Sequence, residues 1–562
     1  HKNGPGLDHY EALVEAWNGL GAATEMTHET LDESLMAFQA AVLVHPYYDV
    51  AFHSLVHITI RVCTWHDWQP LLEATKKKIA KFEMEGMGPI FSLGYDITLP
   101  EMCSVIDWKV TQVVPKERDS YAEATETLVP PPLPFWAPEY TDAKKLRLAI
   151  LSADFNIRPV GKLVQGVFRL MDPMRFEAGC YSLDFHDGSE VIDNLLDGIV
   201  VFDFVKGLTS LKIAQRINEW GAHVLIDLNG YTDGGRAGVG ALRPSPVVVN
   251  YLGFPFTMGV PAYDFLITDR VATPPEHLSC YTEHLVYMPD MYMVNDYRQT
   301  YPILLEDPVN QRLLTKAQVP TDKFFLANFN HLQKLDPATW NLWMQIMLKN
   351  NHTHLWLLRF PDEVEPNLKR EMQAVGVDPS RVHFSTRFEA DEHLEIKRQA
   401  KIALDTRAYN GHVSGLDALY SGLPLVTQPG DRMNRRSGAS FLSTMQVPEL
   451  IARTDADYIH IASRLASDPV ALKRVRQRIH YARDEGPLYD LPRHPPHSLS
   501  LRVSPPSLSP SLCLVLLSLS LSLCVSPSLR LYSLTPPLPS LSALNVSGGS
   551  LTSSATSPRC TT

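Results

Sequence analysis

From residue 146 to about 490 the chain alternates short apolar runs with stretches of helical spacing, and this confines it to few folds. The apolar runs are 146–152 (LRLAILS), 176–183, 199–205, 223–228 (HVLIDL), 247–252 and 265–268. The pattern restarts at 321 with 324–329 (FFLANF), 354–359 (HLWLLR), 381–385, 401–405 and 424–427. Such alternation predicts parallel sheets covered by helices, an α/β fold. Two blocks, 146–300 and 321–490, joined through 301–320, predict two Rossmann-like lobes. Ligands of such sheets sit beyond the carboxyl ends of the strands, so the cleft between the lobes is the expected site.

Residues 1–126 read as helices. Trp17-x-x-Leu20-Gly21 followed by Phe38-x-x-Ala41 and Pro46 has the large, small and breaker positions of a tetratricopeptide hairpin. In that reading the small residues let two helices approach while Trp17 and Phe38 fill the groove. Phe52, Leu55 and Val56 begin a second unit in phase, and so short a repeat pair is expected to cap a longer array or to rest on the domain C-terminal to it. A linker is expected at 127–145, because four of the six residues Val129–Pro134 are prolines.

The stretch 491–562 contains no Asp, Glu or Lys and reads as a disordered Ser/Leu/Pro tail or as noncoding sequence translated. Its uncharged run holds only 16 residues between Pro510 and Pro527, fewer than the roughly 20 of a spanning helix, so no membrane segment is expected. The first residue is His1, and the expectation is a piece of a longer protein.

With 562 residues at 45% hydrophobic, the chain can bury several cores, and a net charge of −11 argues against nucleic acid as a partner. The seven cysteines, at 63, 103, 180, 280, 513, 524 and 560, form no C-x-x-C pair. That predicts free thiols in a reducing compartment and no structural zinc.

The most informative segment runs from Leu404 to Asp417 (LDTRAYNGHVSGLD). A strand ends at Asp405, and a loop carrying Gly411 and Gly415 enters a helix. Glycines there let backbone N–H groups approach an anion, which the helix dipole also favours. Asp417, further along, is placed to accept from ribose hydroxyls, although the same glycines also suit a plain strand-to-helix turn. Asn328-Phe-Asn-His331-Leu-Gln-Lys334 ends the first strand of the second lobe, where a Lys neutralises a diphosphate leaving group. His393, at a helix start, is a candidate for the same cleft or a surface histidine. In the first lobe Ser152–Pro159 and Asn229–Asp233 follow strands, with rigid turns at Ala241–Pro246 and Leu252–Thr257 beside them.

Taken in order, Ser152-Ala-Asp-Phe, Leu228-Asn-Gly-Tyr-Thr, Leu242-Arg-Pro-Ser-Pro, Ile267-Thr-Asp, Tyr287-Met-Pro, Asn328–Lys334, Leu355–Pro361 and Leu404-Asp-Thr…Asn410-Gly-His resemble the catalytic region of the protein O-GlcNAc transferases, glycosyltransferase family 41. The resemblance covers about residues 10–487, and the short join after Val294–Gln299 is similar to the plant-type enzymes. It implies a GT-B fold and an inverting transfer of N-acetylglucosamine from UDP-GlcNAc to Ser or Thr of proteins. It also implies no metal or other cofactor, protein substrates recruited through tetratricopeptide repeats, and a cytoplasmic or nuclear location. By the same resemblance Lys334 serves the donor diphosphate. His331, Asn410, Gly411, His412, Val413 and Ser414 form the donor loop, Asp417 holds the ribose, His393 the nucleotide, and Gly253, Pro255 and Thr257 flank the sugar.

Three departures stand out. Arg158 occupies the place of a family histidine that faces the sugar, and a guanidinium cannot accept a proton. His186 falls where the family often has an acid and is the candidate to compensate. Ala390 and Ile396 replace a Lys and an Arg beside the base, and Tyr409 replaces a small residue near the N-acyl pocket. These leave two alternatives open: a fucosyltransferase using GDP-fucose, as in the SPINDLY-type enzymes, or a degenerate scaffold that binds partners through its repeats.

Overall fold

The computed structural model describes residues 7–27, 31–125, 145–301 and 311–491. The linker expected at 127–145 apart from its last residue, residues 302–310 of the connection, and the tail beyond Leu491 lie outside the described residues.

The first sheet contains β1 (Leu146–Ser152), β2 (Phe176–Ser182), β3 (Val201–Phe204), β4 (Val224–Asp227), β5 (Val247–Asn250), β6 (Phe265–Asp269) and β7 (His284–Met288). Its order is β3-β2-β1-β4-β5-β6-β7, and every pairing is parallel. The central strands β4, β5 and β6 are buried throughout, which is why they read as unbroken apolar runs. Sequence reading missed β7, a half-exposed edge strand of only five residues. The second sheet, β8 (Phe324–Asn328), β9 (Thr353–Leu358), β10 (Val382–Ser385), β11 (Ile402–Leu404) and β12 (Leu425–Val426), has the order β10-β9-β8-β11-β12, again all parallel. In each sheet the order reverses beside the first strand, at β1/β4 and at β8/β11. Loops leaving those strands therefore open a crevice, and the motifs lie on them.

The helices Leu7–Thr27 and Leu31–Val44 form a hairpin. A Cβ on Gly21 would lie 2.7 Å from the Phe38 ring, so the small and large positions meet as the repeat pattern requires. Trp17 does not fill the groove: it is 37% exposed, and Val14 packs with Ala41 and Ala51 instead. The first helix turns Val14 and Gly21, about two turns apart, to its neighbours, and the Trp17 ring stays partly in solvent.

The helical segment rests on the second lobe, where Asn367 Nδ2 donates to Val62 O at 2.7 Å and Trp65 meets Trp340 edge to face. The Leu99–Thr125 helix then touches both lobes. Leu99 N donates to Asp431 Oδ2 at 3.1 Å, and further along Glu117 accepts from Ser210 Oγ at 2.9 Å. Cys103 on this helix forms a disulfide with Cys280 of the first lobe, which corrects the expectation of free thiols there. A separation of 177 residues left no local spacing from which to read it. After the Pro469–Glu485 helix the chain returns to the first lobe, where Asn295 Nδ2 donates to Leu488 O at 2.7 Å. No helix among the described residues is long and apolar enough to cross a membrane.

Candidate active site

At the end of β11 the backbone turns on Asp405. One carboxylate oxygen accepts from the backbone N–H of Thr406 (3.0 Å) and Gly411 (2.8 Å), and the other from Thr427 Oγ1 (2.7 Å). Burial lifts its pKa to about 6, against those hydrogen bonds and the nearby Lys334. The loop it organises holds Asn410 fully buried, with Nδ2 donating to Thr406 O at 2.6 Å and the backbone N–H to Asn434 O at 3.0 Å. Gly411 is needed because any Cβ would stand 2.8 Å from Ser414 Oγ and 2.9 Å from Asn330 Oδ1. Ser414 Oγ in turn donates to Asn330 Oδ1. His412 stands at the N-cap position of the Val413–Tyr420 helix without a side-chain capping bond, and the helix's first backbone N–H groups and dipole face the crevice end of the sheet.

Lys334 approaches this loop from the turn Leu332–Lys334 after β8. Its Nζ donates to Asn410 O at 3.2 Å and stands 4.0 Å from the centroid of the Tyr409 ring. Burial lowers its pKa to about 8, with Asp405 opposing. His331 is pushed down to about 3 by burial and then by Arg61, Arg387 and Lys334, and its ring lies edge-on to Phe360. The His412 imidazole is likewise held neutral by burial and by Lys334. The cluster thus concentrates positive charge on Lys334 with neutral histidines around it, an arrangement that suits a dianionic ligand.

On the far side of the same helix Asp417 accepts from Lys397 Nζ at 2.6 Å and from the Tyr297 hydroxyl. The Lys397 side chain is almost wholly covered, and burial lowers its pKa while Asp417 raises it. His393 packs edge-on to Phe329, with Nδ1 buried and unpartnered. Asp417, His393 and Val413 line a cavity of about 440 Å³. The first lobe closes its other wall with Ile157, Pro159, Lys162 and Gln165, and Tyr297 and Thr300 lie between. Residues separated by more than 250 positions therefore share one cleft, as expected for two such lobes.

In the first lobe Arg158 pairs with Asp154 (3.5 Å) and Asp184 (3.6 Å). Asp154 sits just past β1, with its pKa raised by burial against Arg158. His186 is exposed on the loop after β2, its Nδ1 accepting from Gly188 N at 2.8 Å. Asn229 braces the strand ends, its Oδ1 accepting from Ser152 Oγ (3.0 Å) and Ala153 N (2.6 Å). Gly253 lies where a Cβ would come 2.0 Å from Leu228 O, and Pro255 is buried beside it. The Thr257 hydroxyl is committed to Glu283 at 2.5 Å. Thr257 is thus tied within the first lobe, whereas Lys334, Tyr409–Ser414 and Asn330 form one cluster in the second.

Sequence reading left Asp405, Lys397 and Tyr297 without roles. Asp405 was legible as the residue between strand and glycine loop. Lys397 and Tyr297 carried no signal, since only folding brings them to Asp417.

The family described as glycosyl transferase family 41 matches residues 116–317 and 308–495. The Arabidopsis thaliana protein named "Probable UDP-N-acetylglucosamine--peptide N-acetylglucosaminyltransferase SEC" is 34% identical over 351 residues, 62% of this chain and 36% of that protein. A Caenorhabditis elegans UDP-N-acetylglucosamine–peptide N-acetylglucosaminyltransferase is 28% identical over 459 residues, 63% of this chain and 40% of that protein. A SPINDLY protein of Petunia hybrida is 27% identical over 363 residues, 63% of this chain and 38% of its own length. The chain thus spans well under half the length of these curated relatives. The solved structure of an O-GlcNAc transferase mutant from Thermobaculum terrenum superimposes with a TM-score of 0.64 at 23% identity, over 83% of this chain and 86% of that one, and so shares the two-lobed GT-B architecture. On the match across both lobes, the chain belongs to glycosyl transferase family 41.

Proposed function

We propose that the protein transfers N-acetylglucosamine from UDP-GlcNAc to Ser or Thr hydroxyls of proteins, with inversion and without a metal. The observation that carries this reading is Lys334 Nζ set beside the Asn410–Ser414 loop at a helix N-terminus. Both elements stabilise negative charge that grows on a diphosphate as it leaves. In the transfer the acceptor oxygen bonds to the anomeric carbon from the face opposite the diphosphate, and the bond from that carbon to the β-phosphate oxygen breaks. The electron pair leaves on the diphosphate, and the hydroxyl proton passes to a base. Arg158 cannot take that proton. Asp154, whose carboxyl burial holds above the usual range, and His186 are the first-lobe groups that can.

Protein acceptors are proposed to arrive along the helical segment. Its Asp49–Arg61 helix lies against the Leu332–Lys334 turn, and Arg61 adds to the positive field at His331. A second reading, transfer of fucose from GDP-fucose, is favoured by the Tyr409 ring, whose bulk beside Lys334 suits a sugar without an acetamido arm. Calorimetric titration of UDP, UDP-GlcNAc, GDP and GDP-fucose into the full chain separates the readings. Selective UDP binding, unaffected by a chelator, supports the first, and selective GDP binding supports the second. A folded protein that binds none of them is a scaffold.

A further inference from the structure

Besides Asp417, the cleft is lined by the charged side chains of Lys162, Asp296, Arg387 and Glu389, which the transfer chemistry leaves unused. Arg387 follows β10 and is the only cation that the second lobe contributes to the cavity lining. Its second-lobe neighbours there include the apolar Leu358, Phe388, Ala390 and Leu394, together with the Glu389 carboxylate and His393. The Arg387 guanidinium carbon stands 4.1 Å from the centroid of the Phe360 ring, within cation–π reach. Among the described residues no carboxylate pairs with it, and burial is the one influence that lowers its pKa. An exposed guanidinium over one ring, with no carboxylate on its fork and lining a cavity, has donors free for a planar acceptor.

The cavity gives that acceptor a place. Val413 at the helix start, Asp417, His393, Phe388 and Arg387 all line this one cavity. A nucleoside diphosphate with its phosphates at Val413 and its ribose at Asp417 extends its base toward the Arg387 end. Resting on the reading of the cleft as a nucleotide site, we infer that Arg387 selects the donor's nucleobase by donating to a ring carbonyl, and so admits uracil or guanine and rejects cytosine and adenine. Arginine has only donors. Uracil O4 and guanine O6 accept from it, whereas cytosine and adenine present an amino group at the equivalent place, donor against donor. His393, held neutral by burial with Nδ1 unpartnered, leaves Arg387 as the cation of that end.

The test titrates UDP, GDP, CDP, ADP and inorganic pyrophosphate into the full-length protein and into its Arg387→Ala and Arg387→Lys variants, with thermal melts to verify folding. The expected result is that the unsubstituted protein binds UDP or GDP about tenfold or more tighter than CDP and ADP. Whichever of UDP and GDP wins identifies the base. Arg387→Ala then loses that preference, Arg387→Lys does not restore it, and pyrophosphate binds all three proteins alike. Unchanged selectivity in a folded Arg387→Ala variant overturns the inference alone. An equal loss of pyrophosphate affinity also overturns it, because it makes Arg387 a phosphate contact. Failure of the unsubstituted, folded protein to bind any nucleotide overturns both the inference and the transferase reading.

Discussion

Lys334 Nζ lies over the face of the Tyr409 ring, 4.0 Å from its centroid, while donating to the backbone carbonyl of the next residue, Asn410. The ring takes one side of the ammonium and the carbonyl orients it, so the charge is held in place before any ligand arrives. Such preorganisation lets a cation stabilise a leaving group without reorganising during the reaction.

The depressed pKa of Lys334 gives UDP affinity a defined pH dependence. With a value of about 8 in the free protein, the amine loses its proton as pH rises through 8. A bound diphosphate favours the charged form, so binding above that pH requires proton uptake and weakens as pH climbs. Calorimetry from pH 6.5 to 9.5 is expected to show flat affinity below about 8 and a decline above it. The decline is expected to vanish in Lys334→Met.

Tyr409 supports that ammonium through its ring face alone, because no hydrogen bond to its hydroxyl is involved. Tyr409→Phe is expected to leave UDP affinity unchanged. Tyr409→Ala is expected to weaken it by about 3- to 30-fold, the equivalent of about 0.5–2 kcal/mol for a cation over an aromatic face. Equal affinity in Tyr409→Ala would show that the ring is only a space filler.

Asp417 has a structural duty beside its proposed ribose contact. Removing it strands the buried Lys397 ammonium, a loss of about 3–5 kcal/mol when one partner of a buried pair is deleted. Asp417→Ala is therefore expected to lower the melting temperature, and adding Lys397→Met is expected to recover most of it. UDP affinity should remain low in both variants, which separates the two duties.

Gly411→Ala tests the packing of the donor loop. The added methyl meets Ser414 Oγ and Asn330 Oδ1 within 2.9 Å, and forcing them apart costs about 1–3 kcal/mol. The expected outcome is a modest fall in melting temperature with a larger fall in kcat/KM. An unaltered kcat/KM would mean that the loop does not hold the donor.

Nearly all the strands were legible because their sides are buried, leaving apolar runs such as Val224–Asp227 and Phe325–Ala327 that admit few other readings. The edge strand β7 was not, although Leu285–Met288 is apolar: it is five residues long and lies at the edge of the sheet, where half-exposed side chains do not demand a strand. The donor loop was legible because glycine, helix start and strand end coincide in one segment around Gly411. What escaped reading depends on distant partners. Tyr297 reaches Asp417 across 120 residues, Lys397 becomes a buried cation only because Asp417 faces it, and Cys103 finds Cys280 only once the Leu99–Thr125 helix lies on the first lobe. Trp17 was misassigned because the repeat pattern fixes which residues are large but not which way an outermost helix faces.

The most direct test of the central claim is single-turnover transfer of radiolabelled N-acetylglucosamine from UDP-GlcNAc to a Ser/Thr-rich protein acceptor by the full chain, compared with its Lys334→Ala variant. The account predicts protein-bound label that alkaline β-elimination releases from Ser or Thr with the unsubstituted protein, and a rate about 100- to 1000-fold lower with Lys334→Ala, the usual effect of removing one group that stabilises developing charge. Transfer at the same rate by Lys334→Ala, or no transfer by a folded protein that binds UDP-GlcNAc, would contradict it.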